Sequence, residues 1–434
     1  MNLVWHRAEL RLHDNPALEA ATQAGPTVGV VVFDPRVLEH TSPRRRAWFF
    51  ENVKALRNSY LSRGGILLTR SGQPWEVLPR LVEELGIHKV YAARNFTPYA
   101  TERDAKVESR LAGKISWHDG QYIHQPGTIL RPDGGAYSVF TPYSKRWWAA
   151  GEPAQPQAPE RFTRVNLPEG FEQGEIPAEQ SDVPLPVPGE EAALRALEAF
   201  VSEKLLQYHQ TRDALSGQGA SRLSAYFNIG VLSSRLAMTR ALRSGAGEGE
   251  RKWVSELAWR DFSADLMYHR PEMLDQAFDS RFNRLPWNPD PTLYQAWLHG
   301  QTGVPVVDAA MRELRATGMT SNRARMCVAQ YAVKLALLPW KKCERDFRDL
   351  LLDGDTATNV QGWQWAGGLG VDAAPYFRVY NMEKQAETHD PTGEWLILWA
   401  PESGGKPQPY KPLAFDLDFG RTRYLEAAGK ILKG

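Results

Sequence analysis

Five short runs of apolar, mostly β-branched residues, all before residue 120, constrain the fold of this chain more than any other feature. They are Leu3–Trp5, Thr27–Phe33, Gly65–Thr69, Lys89–Ala93 and a weaker Ile115–His118. Amphipathic stretches separate them. Pro16, Pro43 and Pro74 sit where three helices would begin, with Asp14 or Asn15 placed to cap the first. Short, continuously apolar strands alternating with helices predict a parallel sheet covered on both faces. From Glu190 onward the period changes: EEAALRALEAFVSEKL, RKWVSELAWRDFSADLMYH, PVVDAAMREL, SNRARMCVAQYAVKLALL and CERDFRDLL place apolar residues three and four apart, and strand signals nearly vanish. The expected class is α/β: a doubly wound parallel-sheet domain over 1–125, a connector over 126–189 and an all-helical domain over 190–434. Residues 151–190 carry eight prolines and eight acidic against two basic side chains, without helical or alternating period.

Composition narrows the functional classes. With 434 residues, 42% hydrophobic, 24% charged and a net charge of +1, the chain is neither disordered nor fibrous, and its charge names no partner. Residues 1–150 are modestly basic, 20 against 14, while 191–434 balance at 30 against 29. Two cysteines, Cys327 and Cys343, exclude a disulfide framework and a four-ligand zinc site, so a reducing, cytoplasmic setting is expected. The opening MNLVWHRAEL has no apolar h-region, and no stretch approaches the ~20 apolar residues of a membrane span. The first domain carries no GxGxxG or GxxxxGK[ST] phosphate loop. Tryptophan is the oddity: of 15, nine lie between Trp253 and Trp399. A large aromatic core explains any one of them; neighbours must decide the rest.

Four segments concentrate chemistry. In GASRLSAYFNIGVLS, Ser221, Arg222 and Ser224 follow a Gly-rich turn at the expected start of a helix, where hydroxyls, a guanidinium and free backbone N–H groups suit a phosphate; simple capping fits equally. Trp253, Glu256, Trp259 and Arg260 share one side of a helix, either as a surface Glu–Arg pair among core aromatics or as a carboxyl group lining an aromatic-walled cavity. Asn322 and Met326 lie four apart, with Arg323 and Arg325 directed elsewhere; an amide and a soft thioether suit the edge of a heterocycle, although cap and core roles are commoner. In DGDTATNVQGWQW, Asp353, Asp355 and Asn359 crowd polar groups against Trp363 and Trp365, and buried carboxylates need partners such as Arg325.

Taken in order, SRLSAYFNIGVLS, ELAWRDF, TGVPVVDAAMREL, SNRARM and DGDTATNVQGWQWAGGLGVDAAPYFRVYN resemble the DNA photolyase and cryptochrome family over nearly the whole chain, most closely its bacterial class I branch acting on cyclobutane pyrimidine dimers. The resemblance implies an N-terminal α/β domain, a connector and a helical domain binding FAD. It implies FAD contacts at Tyr208, Ser221, Arg222, Leu223, Ser224, Asp353 and Asp355, with Arg325 paired to Asp353 and Asn359 facing flavin N5. Ala220 departs from the pattern, since many relatives carry a hydroxyl there. Glu256, Trp259, Asn322, Met326 and Trp365 match the dimer pocket, Arg212, Arg323 and Gln385 match DNA contacts, and Arg260 is expected to join them in binding the substrate DNA. Trp363, Trp340 and Trp287 match the indoles that pass electrons to photo-excited flavin.

The implied activity is light-driven repair of cyclobutane pyrimidine dimers in DNA by a monomeric carbon–carbon lyase, through electron transfer from excited reduced FAD to a flipped dimer. Asn at 322 rather than His, and Asn at 359 rather than Asp or Cys, lean toward repair. The rival is a cryptochrome-like blue-light receptor. The family also implies a second, antenna chromophore, whose class (folate, deazaflavin or FMN) the sequence leaves open; Arg44, Arg45 and Arg46 or the segment around Asn95 are candidate contacts, three adjacent arginines being more often a solvated face.

Overall fold

The computed structural model describes residues 1–372 and 374–433. The five β-branched runs form the strands β1 (Asn2–His6), β2 (Thr27–Phe33), β3 (Leu67–Ser71), β4 (Lys89–Ala93) and β5 (Ile115–His118). They pair in parallel in the order β3-β2-β1-β4-β5. Every residue of β1 and β2 is buried, as a sheet covered on both faces requires. The order reverses between β1 and β4, the position where doubly wound sheets open a crevice beyond their strand ends.

Proline occupies the first helical position of Pro16–Ala24, Pro43–Leu61, Pro74–Glu84 and Pro98–Leu111. There the missing N–H has no intrahelical partner to lose. Asn15 is the cap of the first helix, its side chain accepting from the Leu18 N–H at 3.1 Å. Asp14 adopts a left-handed backbone (φ 48) and instead accepts from Arg235 Nε at 2.9 Å.

The stretch expected to be a connector from residue 126 contains one helix, Phe140–Ala149, and is irregular from 150 to 189. That irregular chain shields the open edge of the sheet. The N–H of Thr69 donates to the Gln173 carbonyl at 2.8 Å, and its hydroxyl donates to the Glu175 carbonyl at 2.7 Å. Gly174, at φ +84, permits the approach, because a Cβ there would stand 2.0 Å from the Thr69 carbonyl oxygen. An exposed edge strand invites pairing with another chain; this one is occupied. The connector's acidic side chains also take up the arginine run: Arg44 pairs with Asp182 at 2.6 Å and Arg46 with Glu179 at 3.0 Å.

Two compact units divide the chain: residues 1–135, 144–206 and 221–269 form the first, and 136–143, 207–220 and 270–434 the second. The first therefore joins to the sheet the helices Glu190–Glu203, Ser234–Leu242 and Glu248–His269. Asp261, fully buried on the last of these, accepts from the backbone N–H groups of Ile123 (3.4 Å) and His124 (2.9 Å) and from the indole of Trp147 (2.9 Å). Burial raises its pKa to about 6.

The second unit is helical, built around Pro291–Leu298, Pro305–Thr317, Asn322–Gln330, Trp340–Leu350, Thr356–Gly367 and Leu417–Lys433. The run SNRARMCVAQYAVKLALL has the helical spacing of three and four. It leaves α geometry after Gln330 for a π-turn over Tyr331–Leu335. Lys334, buried in that turn, donates its Nζ to the Arg378 carbonyl at 2.8 Å, and burial lowers its pKa to about 7.

Candidate functional site

Within the second unit, Ser321 caps the helix Asn322–Gln330 by accepting from the Ala324 N–H at 3.2 Å, which fixes where each following side chain points. Asn322 and Met326 stand over one another, Nδ2 to Sδ 3.9 Å, with Asn322 exposed and Met326 half-buried. Arg323 turns to another side, its guanidinium 3.1 Å from Asp213 and 3.4 Å from both Gln385 Oε1 and the Tyr380 hydroxyl. Arg212 reaches the same Asp213 at 3.7 Å and lies over the Tyr208 ring at 5.8 Å. The side chains expected at DNA are thus gathered, two guanidiniums on a single carboxylate and the Gln385 amide on one of them. Asp213 had no motif to announce it.

Arg325 points a third way. Its Nη2 donates to both oxygens of Asp353, at 2.8 and 3.1 Å, and its Nε to the Thr320 carbonyl at 3.1 Å. Asp353 is buried while Arg325 keeps about a quarter of its side chain open. Asp355 caps the helix Thr356–Gly367 by accepting from the Thr358 N–H at 2.8 Å. One turn on, Asn359 donates its Nδ2 to Glu344 Oε1 at 2.9 Å. Because that end of the amide is held by a carboxylate oxygen, the Asn359 carbonyl is left as an acceptor. Glu344 is fully buried on Trp340–Leu350, beside Arg348 at 3.0 Å. Sequence reasoning passed over Glu344; an acid between Cys343 and Phe347 on the apolar face was the available signal.

Trp363 is buried, its ring edge-on to Trp297 at 5.9 Å and to Phe347 at 5.6 Å. Trp365 is half-buried and donates its indole N–H to Asp372 at 3.2 Å. Trp340 and Trp287 line one open cleft of about 480 Å³ with Asp275, Gln276, Asn283, Pro339 and Lys341.

In the first unit, Ser224 is the one of Ser221, Arg222 and Ser224 that is helical, opening the five-residue helix Ser224–Asn228. Arg222 is left-handed at φ 55, so the helix starts only after it, and the buried Leu223 takes the cap position. Ser221 is half-buried; Arg222 and Ser224 are exposed. On Glu248–His269, Trp253 packs into the core against Phe200, ring centroids 5.1 Å apart, whereas Glu256, Trp259 and Arg260 are half-buried. Arg260 donates to the Gln121 carbonyl at 2.8 Å and the Phe227 carbonyl at 3.3 Å and lies over the Tyr122 ring at 4.6 Å.

A model of the FAD binding domain of DNA photolyase matches residues 253–413, and a DNA photolyase model matches residues 2–160. The chain is 54% identical over 433 residues to the deoxyribodipyrimidine photo-lyase of Thermus thermophilus, covering 100% of this chain and 99% of that one. The chain belongs to the DNA photolyase family. Its backbone is similar to a class III photolyase from Agrobacterium tumefaciens (TM-score 0.89, 28% identity, 100% of this chain and 98% of that one) and to a Synechocystis cryptochrome (TM-score 0.84, 25% identity, 100% and 98%).

The donor set of this photolyase-family chain fits FAD, the cofactor of the matched domain. A reduced isoalloxazine needs an acceptor for its ring N–H, and the Asn359 carbonyl is held free for one by Glu344. The partly open Arg325 offers a cation held in place by Asp353. Among the described residues, no helix is long and apolar enough to cross a membrane.

Proposed function

We propose that this chain splits cyclobutane pyrimidine dimers in DNA under light, as a lyase with no net redox change. When bound, reduced FAD supplies the electron that light sends to the dimer and that returns once the ring bonds have parted. Asn359 presents its carbonyl to the flavin ring N–H, and the Arg325–Asp353 pair places charge beside the ring. Tyr208, Ser221, Arg222, Leu223, Ser224 and Asp355 complete the FAD contacts. Asn322, Met326, Trp259, Trp365 and Glu256 receive the flipped dimer, Glu256 by hydrogen bonding to its carbonyls, and Arg260 contributes to binding the substrate DNA. Arg212, Arg323 and Gln385 hold the DNA backbone. Trp363, Trp340 and Trp287 refill the flavin with electrons.

The observation that carries this reading is the single helix Asn322–Gln330. It presents the Asn322–Met326 pair, suited to a base edge, on one side and Arg325, fixed by Asp353, on another. The test is a repair assay on dimer-containing DNA with and without near-ultraviolet or blue light, beside the spectrum of the bound flavin. Light-dependent loss of dimers is expected. A flavin that photoreduces without any repair would overturn the reading and favour a blue-light receptor.

We further read the protein as a monomer in the cytoplasm; the two cysteines, both buried free thiols, support a reducing compartment. An antenna chromophore would sit at the segment around Asn95, beyond the strand ends where the sheet order reverses, since Arg44 and Arg46 are already paired with the connector. The spectrum of the released chromophore decides among folate, deazaflavin and FMN.

A further inference from the structure

From Trp363, aromatic rings in contact lead outward by a route that does not use Trp340 or Trp287. Its first contact is Trp297, edge-on at a centroid distance of 5.9 Å and 83°. Trp297 in turn lies against Tyr294, three residues earlier on the helix Pro291–Leu298, at 5.8 Å and 41°. Tyr294 donates its hydroxyl to Asp346 Oδ2 on the facing helix Trp340–Leu350. Asp346 keeps 27% of its side chain open to solvent. Lys342 reaches the same carboxylate at 3.1 Å and places its ammonium 3.2 Å from the Tyr294 ring centre.

The two outer rings are equipped differently. Trp297 is fully buried and, among the described residues, its indole N–H has no hydrogen-bond partner. An indole that has lost an electron there has no base to take its proton, so it stays strongly oxidising and passes the deficit on. Tyr294 has a carboxylate on its hydroxyl, and a phenol that loses an electron becomes a strong acid. The ammonium over the ring disfavours a positively charged ring. Electron loss at Tyr294 is therefore tied to proton loss.

We propose that Trp297 and Tyr294 form a second electron-supply branch to Trp363, ending in a neutral tyrosyl radical whose proton is held by Asp346. The proposal rests on the reading of Trp363 as the indole nearest the flavin. Light drives one electron from Trp363 to the oxidised flavin. Trp297 refills Trp363 with one electron, and Tyr294 refills Trp297. At Tyr294 the phenolic O–H bond breaks, its electron goes to Trp297 and its proton forms an O–H bond on Asp346. The products are flavin reduced by one electron, neutral Tyr294 radical and protonated Asp346, with Trp363 and Trp297 restored. A neutral radical several rings away draws the flavin electron back more slowly than an adjacent indole cation, so the branch prolongs the charge-separated state.

The experiment is transient absorption with electron paramagnetic resonance on the flavin-loaded full chain after a light pulse, for the wild type, Tyr294→Phe, Trp297→Phe, Asp346→Asn and Trp363→Phe. Phe at 294 removes only a hydroxyl and keeps the ring packing. A tyrosyl signal is expected in the wild type and should vanish in Tyr294→Phe and Trp297→Phe while tryptophanyl signals persist. Asp346→Asn should lower its yield several-fold. A tyrosyl signal that survives Tyr294→Phe overturns the proposal, as does a wild type showing tryptophanyl radicals alone with Trp363→Phe silent. Undiminished radicals in Trp363→Phe overturn it by a distinguishable route, since the reading of Trp363 then falls too.

Discussion

Two fully buried tryptophans, one in each compact unit, look alike by exposure and differ in what holds them. Trp147 in the first unit donates its indole N–H to Asp261, which also gathers two backbone N–H groups. Trp297 in the second has no partner for its N–H among the described residues and touches rings instead. Lys334, also in the second unit, is buried with a single carbonyl on its Nζ among the described residues. Buried polar groups normally find partners. At Trp147 the buried indole N–H is paired and pinned, whereas at Trp297 it is left unpaired among the described residues. The comparison teaches that burial alone does not separate packing from function, whereas the state of the polar atom does.

The largest test concerns Lys334. Its pKa falls from 10.5 unfolded to about 7 folded, so between those values the folded chain holds fewer protons than the unfolded one. Stability should then rise with pH across that window by up to about 5 kcal/mol relative to Lys334→Met. Urea midpoints of both proteins from pH 7 upward measure it, and equal slopes would show that the buried lysine is better satisfied than its one carbonyl suggests.

Asp261 should tilt the other way. Its pKa rises from 3.8 to about 6 on folding, so the folded chain holds more protons in that window and stability falls as pH rises through it, by up to about 3 kcal/mol relative to Asp261→Asn. The same midpoints read at acidic pH check the sign.

Third, Trp147→Phe takes a donor from a buried carboxylate and Trp297→Phe takes none. The first substitution should cost about 2 kcal/mol more than the second in chemical unfolding. Equal losses would break the comparison directly.

The smallest effect is on DNA. Arg44 and Arg323 are each paired with an aspartate, at 2.6 and 3.1 Å, but only Arg323 lies in the cluster with Arg212 and Gln385. Arg323→Ala should weaken binding to damaged and undamaged DNA alike and flatten the salt slope by about one unit; Arg44→Ala should leave the slope unchanged. Filter binding over a salt series distinguishes the two.

The sequence by itself determined what depends on near neighbours along the chain. Five β-branched runs, prolines at helix starts and apolar spacings of three and four dictated a parallel sheet followed by helices, since strand and helix periods are local properties. Ordered motifs such as SNRARM and DGDTATN carried the family, and Arg325 with Asp353 was legible as a buried acid in need of a cation. Other features required residues far apart in sequence to meet. The left-handed Arg222, which delays its helix, and the π-turn around Lys334 are settled by tertiary packing. So are the pairing of Arg44 and Arg46 with acids more than 130 positions away, and Glu344 holding the Asn359 amide from 15 positions away. Whether an indole is filler or conduit depends on the partner of one nitrogen and the ring beside it. No period in the chain encodes that, because Trp147 and Trp297 meet their decisive neighbours only when helices distant in sequence pack together.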